Sequence, residues 1–225
     1  IVTVPGIQKR IIQLCNQKRV PVITATQMLD SMQQNELPTR AETSDVANAV
    51  LDGSDAVMLS GESAIGEYSR EAVAMMSRII RDAERLLVAN PVVRQDLPAT
   101  SAQAQVITEA VAVGAVATAE RLDARLIAVA TVSGRAALAI SKERRLVPVL
   151  AVCKSWRTAR RMTLLWGITP IVWQQSAQTG DELAEFATAW GLKERVLKVS
   201  DTVVVVASSH WSARGHDAML VHVVE

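Results

Sequence analysis

The sequence has few aromatic residues, only two cysteines and almost no net charge, and each shortage excludes a class of protein. Aromatic residues make up 3% of the 225 residues. Lys and Arg number 24 against 23 Asp and Glu, so no field from the whole chain attracts nucleic acid or an anionic membrane, and neither partner is expected. Cys15 and Cys153 lie far apart among apolar residues, which favours buried thiols and a reducing cytoplasm over a disulfide or a metal site.

Several functional motifs are also absent from the sequence. No run approaches the roughly 18 consecutive apolar residues of a membrane-spanning helix. There is no P-loop, no glycine-rich dinucleotide fingerprint and no pair of Cys or His at metal-ligand spacing. The three histidines, His210, His216 and His222, lie near the C-terminus, where we interpret them as structural or surface residues. The chain begins with Ile1 at the approach to a helix, so we expect the natural polypeptide to continue ahead of it.

The first 87 residues alternate between helical and strand patterns. The predicted elements are a helix with Ile7, Ile11, Leu14 and Cys15 on its apolar face, a strand at 20–25, a helix from Thr39 to Gly53, a strand at 55–60 and a helix at about 70–87. Thr39 and Glu42 have the spacing of a capping box. This order is typical of parallel β/α units, yet two strands neither close a barrel nor shield both faces of a sheet.

A second, self-contained α/β unit is predicted after a polar stretch at 88–105. The predicted helices span about 106–121, 135–142, 156–166 and 181–190, and the strands 126–130, 147–152, 168–173, 203–207 and 219–224. No helical pattern separates the last two strands, so we expect them to pair antiparallel. Helices should cover both faces of this sheet.

Two loops in the first unit could carry chemistry, because ligands in parallel β/α folds meet the carboxyl ends of the strands. Thr26 follows the first strand, where its hydroxyl could bind a substrate carboxylate, handle a proton, or simply satisfy a nearby backbone group. Ser60 and Glu62 follow the second strand and could contact a nucleotide or cap a helix.

A third such loop lies in the second unit, after the predicted strand at 126–130. It contains Thr131, Ser133, Gly134 and Arg135. Hydroxyls, a glycine that permits close approach and a fixed cation are typical of a phosphate cradle. Ordinary helix capping by Ser133 is the alternative.

Four segments in order along the chain closely resemble the pyruvate kinase family: VPVITATQML at 20–29, PTRAE at 38–42, SDVANAVLDG at 44–53 and MLSGE at 58–62. Three later segments agree more loosely: SGR at 133–135, TARR at 158–161 and WGITP at 166–170. The resemblance covers essentially the whole chain.

The resemblance implies an α/β protein with two domains. Residues 1–87 would be the last part of a (β/α)₈ barrel, with its seventh and eighth strands, and 88–105 would be a linker. Residues 106–225 would form the C-terminal domain, three α/β/α layers around a five-stranded, mostly parallel sheet whose last strand is antiparallel. The family also implies a cytoplasmic homotetramer, with Arg40 near a subunit contact.

The implied reaction is the glycolytic transfer of a phosphoryl group from phosphoenolpyruvate to ADP, which gives pyruvate and ATP. It uses a divalent metal, usually Mg²⁺, and commonly K⁺. Thr26 matches the substrate-contacting threonine of the family, near the side from which the enolate is protonated. The lysine and the metal-holding Glu and Asp of the family have no counterpart here, so we expect the chain alone to bind no metal and to be inactive.

Many members of the family also bind a sugar-phosphate effector, such as fructose 1,6-bisphosphate. Thr131, Ser133, Gly134 and Arg135 match part of that loop, whereas Val132 and Ala136 depart from it. The loop at 208–215 lacks the glycine-rich form of bisphosphate binders, so the ligand would be a sugar monophosphate, another sugar phosphate or none.

Two other functions remain open at this point. The first is a free-standing, non-catalytic phosphosugar-binding or assembly module. The second is a nucleotide-binding module on a doubly wound fold, which is disfavoured because no glycine-rich fingerprint follows any strand.

Overall fold

The chain divides into two compact units, residues 1–97 and 98–225. The computed structural model describes residues 2–89, 103–174, 179–207 and 216–225. Most of the predicted linker at 88–105 therefore lies outside the described residues, as does the loop at 208–215 with His210. No helix in the described ranges is long and apolar enough to cross a membrane.

The first unit alternates helices with two short parallel strands, as predicted. Its elements are α1 (Val4–Gln17), β1 (Ile23–Ala25), a 3-10 helix (Asp30–Gln33), α2 (Arg40–Leu51), β2 (Ala56–Met58), α3 (Gly61–Ala64) and α4 (Ser69–Ala89). β1 pairs with β2 from Ile23↔Ala56 to Ala25↔Met58. The carboxyl ends of both strands, and the loops that follow them, therefore lie at the same edge.

Local signals explain where α2 begins and ends. The predicted capping box is present: the Thr39 hydroxyl accepts from the Glu42 N–H at 3.3 Å, and the Glu42 carboxylate accepts from the Thr39 N–H at 2.8 Å. After the helix, Gly53 takes a φ of 98°, which a residue with a side chain rarely adopts.

The apolar face of α1 in the first unit differs from the predicted one. In α1, Ile7 and Ile11 are 53% and 50% exposed, whereas Ile12 is buried. In α4, Val73 is exposed and the neighbouring Ala72 is buried in a core with Met28, Leu29, Met32, Val46, Met76 and Ile79. A two-stranded sheet offers too little surface to cover every apolar side chain around it.

The second unit is a five-stranded sheet between two layers of helices. Its elements are α5 (Gln103–Arg121), β3 (Leu126–Ala130), α6 (Arg135–Lys142), β4 (Val149–Cys153), α7 (Trp156–Met162), β5 (Ile168–Val172), α8 (Gly180–Lys193), β6 (Thr202–Ala207) and β7 (Ala218–Val223). The strand order is β5-β4-β3-β6-β7. The predicted antiparallel pairing of the last two strands is confirmed, with Val203 opposite His222 and Ala207 opposite Ala218.

The central strands β3, β4 and β6 are buried on both faces of this sheet, whereas the edge strand β7 leaves alternate residues exposed. Ile127 and Val129 pack in one core with residues of α5, α6 and α7. Leu126 and Ala128 pack on the opposite face with residues of α8, and there Trp173 stacks on Phe186 with ring centroids 4.3 Å apart. This arrangement confirms the predicted three-layer fold.

Candidate functional site

Thr26 lies directly after β1 in an unusual backbone conformation. Its φ is 69° and that of Gln27 is 54°, so two consecutive residues with side chains occupy the left-handed region. A β-branched residue is rarely found there, and such conformations persist only where the surrounding structure imposes them. The Thr26 side chain is exposed, and its hydroxyl donates to the Ala25 carbonyl at 2.6 Å. The hydroxyl is thus presented at the carboxyl end of β1.

The loop after β1 is tied to the loop after β2 by a single carboxylate, that of Glu62. The Leu29 N–H donates to Glu62 Oε1 at 3.0 Å, and the Ser60 N–H donates to Glu62 Oε2 at 2.7 Å. Glu62 itself is only 1% exposed. This geometry gives Glu62 a structural role, while the nucleotide contact suggested for Ser60 and Glu62 stays a prediction.

Backbone hydrogen bonds keep Glu62 ionised. Burial raises its pKa, but the N–H groups of Glu62 itself, Leu29 and Ser60 outweigh that effect, so the pKa lies below the ordinary value. The negative charge of Glu42 acts weakly in the opposite direction.

Glu42 holds the more distant part of the same loop. It accepts from the Ser31 N–H at 2.7 Å, from the Ser31 hydroxyl at 2.6 Å and from the Thr39 N–H at 2.8 Å. Burial raises the pKa of Glu42, yet these donors together bring it below the ordinary value. Arg40, the first residue of α2, is exposed beside this contact, and its place in a subunit interface stays a prediction.

The third predicted loop precedes α6 in the second unit. The buried Thr131 hydroxyl accepts from the Gly134 N–H at 3.0 Å, and the exposed Ser133 hydroxyl accepts from Arg135 Nε at 3.3 Å. Gly134 has a φ of 86°, and a Cβ at this position would lie 3.1 Å from Met162 Cγ. The alternative of capping by Ser133 is wrong, because Gly134 is the N-cap and no side chain caps the helix.

The surroundings of this loop are basic. Residues 154–161, which follow β4 and include most of α7, contain four Lys or Arg and no Asp or Glu: Lys154, Arg157, Arg160 and Arg161. The Thr158 hydroxyl donates to the Val132 carbonyl at 3.1 Å and so joins α7 to the loop. Arg157, Arg160 and Arg161 on α7 are exposed, as is Arg135. Anionic ligands are therefore favoured at this edge of the sheet.

His216 is a neighbour of this loop that the sequence did not indicate. Its Nε2 hydrogen-bonds the Ala130 carbonyl at the end of β3, and its N–H donates to the Thr108 hydroxyl at 3.1 Å. Burial lowers the pKa of His216. Ala130 is 86 positions away along the chain, so no local pattern marks the contact.

The described residues do not bring together three or more His, Cys, Asp or Glu side chains that could hold a metal ion. The described residues therefore do not form a site that fits Mg²⁺.

Comparisons with known proteins identify the family. Residues 1–73 match the family model described as "Pyruvate kinase, barrel domain", and residues 109–222 match "Pyruvate kinase, alpha/beta domain". The chain belongs to the pyruvate kinase family. The predicted partial barrel followed by an α/β domain is thereby confirmed.

Individual pyruvate kinases match nearly the full chain. The enzyme from Clostridium acetobutylicum is 41% identical over 223 residues, covering 99% of this chain and 46% of that protein. The pyruvate kinase from Geobacillus stearothermophilus is 41% identical over 226 residues, covering 98% and 37%. A crystal structure of a pyruvate kinase from Cryptosporidium parvum superposes with a TM-score of 0.85 at 33% identity, covering 99% of this chain and 44% of the other. The chain spans less than half the length of these pyruvate kinases.

Within the pyruvate kinase fold, the predicted site residues form two groups. Thr26, Ser60 and Glu62 lie in the barrel-domain fragment, at the shared carboxyl edge of β1 and β2. Thr131, Ser133, Gly134 and Arg135 lie in the α/β domain, between β3 and α6.

Proposed function

We propose that the chain is the C-terminal part of a cytoplasmic, homotetrameric pyruvate kinase that transfers a phosphoryl group from phosphoenolpyruvate to ADP in glycolysis, giving pyruvate and ATP. The conformation and position of Thr26 are the main support for this proposal. It is a β-branched residue held in the left-handed region at the carboxyl end of a barrel strand, with its hydroxyl exposed. In barrel enzymes the active site lies at that end of the strands. Membership of the family supports the choice of reaction.

Thr26 contributes to the second half of the reaction. When the phosphoryl group leaves phosphoenolpyruvate for ADP, an enolate remains and must gain a proton at carbon. A hydroxyl fixed beside that carbon can position the proton donor or relay its proton. Bound Mg²⁺ and K⁺ would offset the phosphate charge during the transfer. No residue of this chain matches the lysine and the metal-binding acids that the resemblance to pyruvate kinases implies for this transfer.

The proposal is tested by comparing two polypeptides for ATP formation from phosphoenolpyruvate and ADP, in the presence of Mg²⁺ and K⁺. The full-length protein that contains residues 1–225 should form ATP. The purified 225-residue chain should form none above background, because it has no counterpart of the catalytic lysine or the metal-binding acids. Metal-dependent turnover by the 225-residue chain would refute the expectation that it lacks essential catalytic residues. An inactive full-length protein would refute the proposed reaction.

A second function, binding of a sugar-phosphate effector, is favoured by the loop before α6. The first N–H groups of a helix have no acceptor within the helix, and here no side chain caps them. Ser133 and Arg135 are exposed beside them. A phosphate group would accept from the first N–H groups of α6 and from the guanidinium of Arg135.

Calorimetric titration tests this second function on the full-length protein, with sugar monophosphates and fructose 1,6-bisphosphate as ligands. Heat that disappears in Arg135→Ala, and that persists in the control variant Arg81→Ala in the first unit, supports the site. Absence of heat with every sugar phosphate at millimolar concentration would exclude it. Heat from a full-length protein that forms no ATP would favour the non-catalytic phosphosugar module.

A further inference from the structure

The Glu62 carboxylate binds backbone N–H groups and is not placed to bind a ligand. Its carboxylate accepts from the Leu29 N–H at 3.0 Å with one oxygen and from the Ser60 N–H at 2.7 Å with the other. The residue is 1% exposed, so almost none of the carboxylate reaches solvent or a substrate. A buried carboxylate that accepts hydrogen bonds through both oxygens is satisfied in the ionised form.

The hydrogen bond from the Leu29 N–H to Glu62 fixes the segment that follows Thr26 in the chain, and the one from Ser60 anchors Glu62 to the loop after β2. Before Thr26, the pairing of Ala25 with Met58 holds the chain in the sheet. After it, Leu29 is fully buried and bound to Glu62. The left-handed residues Thr26 and Gln27 lie between these two fixed points. Without the second point, the loop would be free to relax toward ordinary backbone angles.

We infer that Glu62 is a positioning residue for Thr26: as an acceptor of two backbone N–H groups, it holds the Thr26 hydroxyl in place for the reaction, and it does not itself donate a proton. This inference rests on the proposed pyruvate kinase reaction. It assigns to Glu62 a role that differs from the nucleotide contact suggested by the sequence.

Glu42, on α2, offers a matched control for the same loop. Its carboxylate also accepts from backbone N–H groups, at Ser31 and Thr39, and its pKa is also lowered. Its contacts, however, hold residues beyond Leu29. Loss of Glu42 should therefore loosen the later part of the loop while the Leu29 contact, and with it Thr26, remains.

The test compares Glu62→Gln with Glu42→Gln in the full-length protein, at a temperature where circular dichroism shows both folded. Glutamine places an NH₂ group against one of the two N–H donors, so one hydrogen bond is lost. We expect Glu62→Gln to lower kcat, and the exchange of pyruvate methyl hydrogens with deuterated solvent, by about tenfold or more, with KM for ADP nearly unchanged. Glu42→Gln should leave all three close to the wild-type values.

Amide hydrogen exchange provides a readout that does not depend on activity. In Glu62→Gln, the amides of Leu29 and Ser60 should exchange about tenfold faster or more, and in Glu42→Gln they should stay protected. If Glu62→Gln does not fold, Glu62→Asp, which is one methylene shorter, replaces it and should show the same pattern at smaller size.

Four outcomes would overturn the inference. The first is wild-type kcat in Glu62→Gln, and the second is unchanged protection of Leu29. The third is an equal loss of kcat in Glu42→Gln, which would indicate general loosening of the loop. The fourth is removal of one limb of the pH profile of kcat in Glu62→Gln, which would make Glu62 a titrating group of the reaction. An inactive wild-type protein would instead refute the proposed function, and amide exchange would still decide whether Glu62 holds the loop.

Discussion

The two units of the chain differ in how completely their β-strands are buried. Every residue of β3 and β4 in the second unit is buried, and Leu150 is fully inaccessible to solvent. In the first unit, Ile23 of β1 is 46% exposed and Met58 of β2 is 43% exposed. The central strands of the second unit are thus covered within their own unit, although its edge strand β7 also has half-exposed apolar residues. In the first unit both strands carry half-exposed apolar residues, as expected of a barrel-domain fragment.

The number of strands explains this difference. β3 has a neighbour on each side and helices on both faces, so its backbone and side chains are covered by its own unit. β1 and β2 have only each other within the described residues of the first unit. A parallel sheet is stable when both faces are covered, and two strands cannot form the closed ring of a barrel.

The largest effect that we expect from this difference is on stability. Leu150→Ala should destabilise the second unit by about 2–5 kcal/mol, because it opens a cavity in a filled core. Ile23→Ala in the 225-residue chain should cost less than about 1 kcal/mol, because the side chain is already half exposed. In the full-length protein, where we propose that further barrel strands cover β1, the cost of Ile23→Ala should rise.

The tryptophans make this comparison measurable. All five belong to the second unit: Trp156, Trp166, Trp173, Trp190 and Trp211. Tryptophan fluorescence during urea unfolding therefore reports on the second unit, and amide exchange in α2 and α4 reports on the first. Equal costs for Leu150→Ala and Ile23→Ala in the short chain would contradict the contrast between the two sheets.

The second effect concerns catalysis, in which we propose that Thr26 of the first unit takes part. In the full-length protein, Thr26→Val should lower kcat roughly a hundredfold while sparing nucleotide binding, because the hydroxyl is removed and the shape is nearly kept. Thr43→Val is the control, since the Thr43 hydroxyl also donates to a backbone carbonyl, that of Thr39 at 3.1 Å, but lies on α2. Steady-state kinetics and equilibrium ADP binding measure both variants, and unchanged turnover in Thr26→Val would remove Thr26 from the mechanism.

Local signals in the sequence predicted much of this architecture. The strand at 126–130 and the helix at 135–142 have the predicted bounds, and the capping box at Thr39 was visible as a spacing of three residues. Such features depend on neighbours along the chain.

Contacts between distant segments could not be predicted in the same way. Glu62 binds Leu29 across 33 positions, and the sequence showed only an acid after a strand. The outward face of α1 was also missed, because helical periodicity shows which residues share a face but not what lies against it. The strand pattern offered Thr26 as a candidate and the resemblance suggested its role, whereas its left-handed backbone is visible only in the structure.

The smallest expected effect is a difference between the two units in their response to acid. In the first unit, Glu42 and Glu62 have a folded-state pKa below the ordinary 4.5, so the unfolded chain binds more protons. Their stabilising contribution is complete above that value and is lost as the pH falls through the folded pKa. In the second unit, burial lowers the pKa of His216 below the ordinary 6.5, so stability is lost as the pH falls below 6.5.

The second unit should therefore begin to lose stability at a higher pH than the first. Urea midpoints from tryptophan fluorescence should fall between about pH 6.5 and about pH 5, and His216→Gln should flatten that fall. Amide exchange in α2 should respond only in the acid range of the carboxylates, and the double variant Glu42→Gln, Glu62→Gln should remove that response. If the urea midpoints of His216→Gln depended on pH as strongly as those of the wild type, titration of His216 would not cause the loss of stability in the second unit. The pH dependence of both units would then come from carboxylates.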